Sequence, residues 1–294
     1  MLARSRTALA VALVACAGVP PAFAESTPPA WDAELAAEHS ADERREIGLD
    51  HVRGDDHDVA RKWLESAAAA GDGRAMIHLG YFHEHGYGVE VDGREAIDWY
   101  ERGIEAGEDE FTTKVAWAWL EGELVAPDRE RAEHWFNHAI DQGHHEAHLG
   151  IGSVLLTDVV GGADGRADDA RRHFESALDE GFVLGSYYLA RMYREGLGVE
   201  RDPGKAMRYL RIGARSGDPQ IEAPMQTWLA ELIRDGDGPG EPDPVAALSW
   251  AYLAAANGDA DGQQLVNGLE QELGDAAVDR AREGALRLAQ ADEQ

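Results

Sequence analysis

Twelve histidines are present, and four of them fall at helical spacing. His134 and His138 lie one turn apart, as do His144 and His148, with His145 between. Two imidazoles one turn apart share one side of a helix, which is how a helix offers a transition metal its first two ligands. The run His144-His145-Glu146-Ala147-His148 comes near the helix of the zinc proteases. In that helix, however, the glutamate directly follows the first histidine, and here Glu146 stands one residue too late to serve as the base. His134 and His138 flank Trp135, which belongs to an apolar stripe, so both fall towards solvent. These side chains read as surface histidines that bind metal at most adventitiously, and no metal or cofactor is assigned.

Other chemistry is equally thin. Carboxylates are too numerous to single out a pair: Asp and Glu number 56. Gly86 and Gly88 are turn glycines, with no preceding strand and no third glycine to complete a phosphate loop. No serine sits in a G-x-S-x-G elbow, and Cys16 is the one cysteine. The sequence therefore points away from an enzyme.

What positions these residues is a repeat. Gly71, Gly107, Gly143, Gly181, Gly217 and Gly258 recur at steps of 36 to 41, the signature of stacked supersecondary units. Eleven residues before each glycine stands Ala60, Ala96, Ala132, Ala170, Ala206 or Ala247. Eight before stands a ring: Trp63, Trp99, Trp135, His173, Tyr209, Trp250. Four before is small: Ala67, Gly103, Ala139, Ala177, Gly213, Ala254. Places i, i+3 and i+7 form one stripe of an α-helix. Asp56, Asp92, Asp128, Asp202 and Asp243 stand where an N-cap is expected. Pro203 and Pro244 follow at the first helical place, and the closing glycines suit a left-handed stop.

The first helix of each unit carries Leu-Gly or Leu-Ala: Leu79-Gly80, Leu149-Gly150, Leu189-Ala190, Leu229-Ala230. Leu79 to Gly107 and Leu189 to Gly217, with Gly86-Tyr87-Gly88 and Gly196-Leu197-Gly198 between their helices, resemble the Sel-one-like repeat, a relative of the tetratricopeptide repeat. Departures fall at His83, a position the family fills with tyrosine and here read as a satisfied, partly buried ring, and at Leu124, in place of a turn glycine. Asp158 to Asp168 enlarges one turn. The resemblance implies an all-α right-handed solenoid of about six two-helix units. It implies a protein or peptide partner on the concave face, lined by the first helices, and no catalysis. A regulator of an envelope enzyme or a virulence-type factor is the alternative, and an enzyme with an unrecognised groove site ranks third.

By position, three rows would line that face: Tyr81, Trp117, Ile151, Arg191 and Glu231; Glu84, Leu120, Val154, Arg194 and Arg234; His85, Glu121, Leu155, Glu195 and Asp235. The candidate binding residues are Tyr81, His85, Trp117, Arg191, Arg194 and Arg234. The three arginines would either receive an acidic segment or neutralise Glu195, Glu231 and Asp235. Trp117 and Trp119 stand two apart, so one faces the core and the other a groove or a neighbouring unit.

Residues 1–24 read as a secretory signal: Arg4 and Arg6, an apolar run, and Ala22-Phe23-Ala24 as cleavage site. Leu13-Val14-Ala15-Cys16 also fits a lipoprotein box, which would anchor the chain by acylated Cys16. Either reading places the protein in the periplasm, outside the cell, or on the envelope. Residues 25–44 read as linker and entry helix, the latter running Trp31 to Ile47; 45–259 as repeats; and 260–294 as capping helices. The net charge of −29 becomes −31 without the signal. That acidity argues against nucleic acid and anionic lipid as partners. It fits either a solvated surface of the saline-habitat kind or a cationic partner.

Overall fold

In the computed structural model, residues 28–162 and 165–291 are described. Residues 1–24, read as a secretory signal or, at Cys16, a lipoprotein box, lie outside them. The described chain is helical throughout and has no strand. A short helix α1 (Ala33–Ala37) precedes six antiparallel pairs: α2 (Ala41–Arg53) with α3 (His57–Ala69), α4 (Gly73–His85) with α5 (Gly93–Glu105), and α6 (Thr112–Glu121) with α7 (Arg129–Asp141). There follow α8 (Ala147–Val160) with α9 (Ala167–Asp179), α10 (Leu184–Glu195) with α11 (Pro203–Gly213), and α12 (Pro219–Asp235) with α13 (Pro244–Ala256). Each pair packs on the next, and α14 (Ala260–Glu272) and α15 (Asp275–Ala291) close the stack against α13. This is an α-solenoid.

The stripe behaves as its spacing requires. The six alanines of the second helices are all 0% exposed. Glycine replaces the small residue where a neighbour presses closest: a Cβ on Gly213 would stand 1.9 Å from Met225 Sδ of the following unit. The ring row is only partly core, since Trp99, His173 and Tyr209 stay half-buried. The residue after it is deeper still, one turn on from the alanine: Leu64, Tyr100, Phe136, Phe174 and Leu210 are at most 1% exposed.

Punctuation follows the same logic. The six closing glycines have φ between 78° and 106°, the left-handed region that favours glycine. Asp92, Asp128, Asp202 and Asp243 accept amides of the next turn. Asp56 makes no such bond and instead lies 3.6 Å from His51 Nδ1. After three of the closing glycines comes a second set of caps: Asp72 and Asp218 start the next first helices, and Asp259 starts the closing helix α14.

The single entry helix expected from Trp31 to Ile47 is two helices. Ser40 and Glu43 form a reciprocal capping box, which starts α2 afresh and turns the chain at His39. Trp31 then meets Trp63 edge-on at 5.3 Å, covering the open end of the stack.

Neighbouring first helices touch, α6 with α8 and α10 with α12, whereas no two second helices within the six units come as close. The first helices therefore occupy the inner side of the curve.

Candidate partner-binding face

The inner face is built from side chains that reach from one first helix to the next. At its N-terminal end, Tyr81, His85 and Tyr87 form a group of near-parallel rings: Tyr81 lies 4.0 Å from His85 and 5.7 Å from Tyr87, centroid to centroid. Burial, reinforced by Tyr87, pushes the Tyr81 phenol above its ordinary range. Next, Glu84 accepts from Tyr100 Oη at 2.5 Å and from Lys114 Nζ at 2.6 Å. Lys114 lies 4.5 Å over the Tyr100 ring. Burial first, then Glu84, drives the Tyr100 phenol far above the usual tyrosine range, so it stays a donor.

Trp117 is half-buried and meets Phe136 edge-on at 5.1 Å. Trp119 is the core partner of the two, 3% exposed. Its Nε1 donates to Glu101 at 2.9 Å, and Trp135 Nε1 donates to the same oxygen at 3.0 Å.

In unit four the rows need correction. A Cβ on Gly152 would meet Phe174 at 2.5 Å, just as one on Gly80 would meet Tyr100 at 2.7 Å. Gly152, not Gly150, is therefore the counterpart of Gly80. Ile151, Val154 and Leu155, expected on the groove, are core residues at 2%, 2% and 4% exposure. The rows pass instead through Ser153 and Thr157, with Leu156 buried between them. The physical reason is that Gly150 also faces a ring, Phe136 of the preceding unit, so two glycines satisfy the same sequence pattern.

At the C-terminal end, Arg194 and Arg234 share an open cleft of about 530 Å³ with Arg201, Trp228, Glu231 and Asp237. Arg191 lies outside its lining. Arg191 Nε bonds Glu195 at 3.3 Å, Arg194 bonds Glu231 at 2.5 Å, and Arg234 bonds Asp235 at 2.7 Å. The Asp235 bond holds Arg234 above and Asp235 below their ordinary ranges. Arg194 also lies 4.7 Å over Trp228, which stacks on Tyr187 at 5.0 Å. Each arginine thus carries the neighbouring carboxylate named as its neutralising partner. Tyr81, His85 and Trp117 stand apart from this cleft. Lys114, Tyr187 and Trp228 were missed because they face across units, three or four residues before the chosen row.

A family model for the Sel1 repeat matches residues 41–72, 73–108, 113–144, 183–218 and 223–259. The chain belongs to the Sel1 repeat family. Unit four, which the matches skip, keeps the two-helix Sel1 form, but the enlargement expected as a turn at Asp158 to Asp168 falls in α8, which runs on to Val160 and leaves only 161–166 as the connection, against 86–92 between α4 and α5. A crystal structure of a Sel1 repeat protein from Oxalobacter formigenes is similar at TM-score 0.56 and 23% identity, over 86% of this chain and 99% of that one; it shows the fold alone. Mouse "DAP3-binding cell death enhancer 1" is 28% identical over 60% of this chain and 34% of its own length. An uncharacterized protein of Neisseria meningitidis is 28% identical over 55% of this chain and 33% of its own. The chain thus spans about a third of the length of these curated relatives. Sel1 repeat proteins are generally protein-interaction scaffolds. Among the described residues no helix is long and apolar enough to cross a membrane.

Proposed function

We propose that this Sel1 repeat protein is an exported, non-enzymatic adaptor that holds a protein segment against the inner face of its first helices. The observation that carries this reading is a first-helix face of stacked rings and locally paired charges. In a chain of net charge −29, the inner face offers rings and internally paired charges. Glu84 with Lys114, Arg191 with Glu195, Arg194 with Glu231 and Arg234 with Asp235 are each compensated in place. Such a surface suits a segment of low net charge, bound through apolar and aromatic side chains. The acidic exterior discourages polyanions from the rest of the molecule. That a mouse relative is named for binding another protein agrees with an adaptor role, and the signal-like residues 1–24 support a periplasmic, secreted or envelope-anchored location.

Proximity labelling in intact cells tests this with three forms: the wild type, Tyr81→Ala/Trp117→Ala, and Arg191→Glu/Arg194→Glu/Arg234→Glu, each confirmed helical by circular dichroism. Loss of a labelled protein in the first variant places recognition on the aromatic stretch. Loss only in the second places it at the arginine end. Equal labelling by all three overturns the groove reading.

A further inference from the structure

Unit four sets a different ring between its helices. Where four other units carry Trp63, Trp99, Trp135 and Trp250, α9 carries His173. It meets His148 of α8, Nδ1 to Nδ1, at 2.8 Å, with ring centroids 5.1 Å apart. A bond between two Nδ1 atoms needs one donor and one acceptor. Two neutral rings supply these in opposite tautomers. One added proton leaves the bond intact, because an imidazolium still donates to a neutral Nδ1. A second proton removes the acceptor and sets two like charges at hydrogen-bond distance.

The surroundings sharpen this. His145 stacks on His148 at 6.2 Å and pushes its pKa further down. Glu180 acts on His148 in the opposite sense; Asp169 does so on His173, beside Arg172. The next residue, Phe174, packs over Gly152 and stacks on Tyr188 of α10 at 4.5 Å. The histidine pair therefore ties α8 to α9 one residue from the Phe174 contact on which unit five rests.

We infer that the His148–His173 contact is an acid-sensitive latch, whose double protonation parts α8 from α9 and loosens the joint on which units five and six are carried. Burial lowers both rings below the ordinary value of 6.5, with each ring's histidine neighbour adding to the shift. Between that value and the folded-state values the unfolded chain binds more protons. The stability held in the contact is thus complete above about pH 6.5 and is lost as pH falls below it.

The test is an imidazole NMR titration of the full chain from pH 7.5 to 4.5, paired with amide hydrogen exchange. His148→Met and His173→Phe assign the signals; Met76 stands at the matching place in unit two, and phenylalanine keeps a ring. The expected result is a coupled titration, one ring protonating well after the other. Segments 147–160 and 167–179 should then exchange on the order of tenfold faster at pH 5 than at pH 7.5 after correction for intrinsic rates. α12 and α13, which carry no histidine, should not change. In His173→Phe, His148 should titrate as a single ring and the acid effect should vanish. If one variant fails to fold, the other carries the comparison, and the wild-type titration needs neither. Independent titration of the two rings overturns the latch. So does unchanged exchange in the wild type, or an acid effect that persists in the folded variants.

Discussion

Glu101 shows how a surface-seeking side chain becomes structural here. Both tryptophans that donate to it are nearly buried, and without it two indole N–H groups lose their acceptor. Glu101→Ala should lower unfolding stability by about 2 kcal/mol, with Glu101→Gln costing less because an acceptor remains; urea denaturation followed by tryptophan fluorescence measures both. Arg45 is a second case. It is 8% exposed and bonds the buried Asp72 at 2.7 Å while pairing with Asp42 and Glu46. Arg45→Met would leave Asp72 uncompensated, costing about 3 kcal/mol. The same variant reports on His78, which burial first and Arg45 second push down to about 4. Removing the guanidinium should raise the His78 titration point while leaving it below 6.5. A depressed histidine binds fewer protons folded than unfolded, so the wild type should lose stability as pH falls from 6.5 towards 4. An unchanged His78 titration in Arg45→Met would show that Arg45 plays no part.

At the scale of elements, helix spacing was readable and depth was not. The alanine stripe, the closing glycines and four of the five proposed aspartate caps follow from i, i+3 and i+7 and from turn chemistry, which are local properties of the chain. Whether the ring row or the residue after it lies deepest depends on how two helices cross, and Phe174 and Tyr100 could not be ranked against His173 and Trp99 by pattern alone. The groove rows failed in unit four for a related reason: Gly150 and Gly152 both face rings, and only packing tells which one matches Gly80. The arginine cluster was legible as residue types. Its pairing across units, Arg194 to Glu231 above all, required the stack. Gly93 gives the sharpest test of that stacking. It opens α5, and a Cβ there would lie 1.9 Å from the Leu124 carbonyl oxygen in the following unit's turn. Gly93→Ala should destabilise by about 3 kcal/mol, at the severe end of overpacking because backbone must move. Gly107→Ala, with no atom within 4 Å of its Cβ but φ of 106°, is the strain-only control. Gly93 itself has no positive φ, so a loss there no greater than that at Gly107 in thermal melts would show that the Leu124 turn yields and that the contact costs little.

For the whole molecule, a solenoid divides its surface into an inner face that touches itself across units and an outer one that does not. The inner one here carries charge pairs that cross from unit to unit, Glu84–Lys114 and Arg194–Glu231, beside stacked rings, and its role as the partner-binding face is the central claim. Site-specific photo-crosslinking in cells tests it most directly, with the photoreactive residue placed at Tyr81 or Trp117, or on the exposed second-helix positions Glu105 and Arg211. The account predicts a discrete crosslinked protein from Tyr81 and Trp117 and none from Glu105 or Arg211. Crosslinks from the outer positions alone would contradict it.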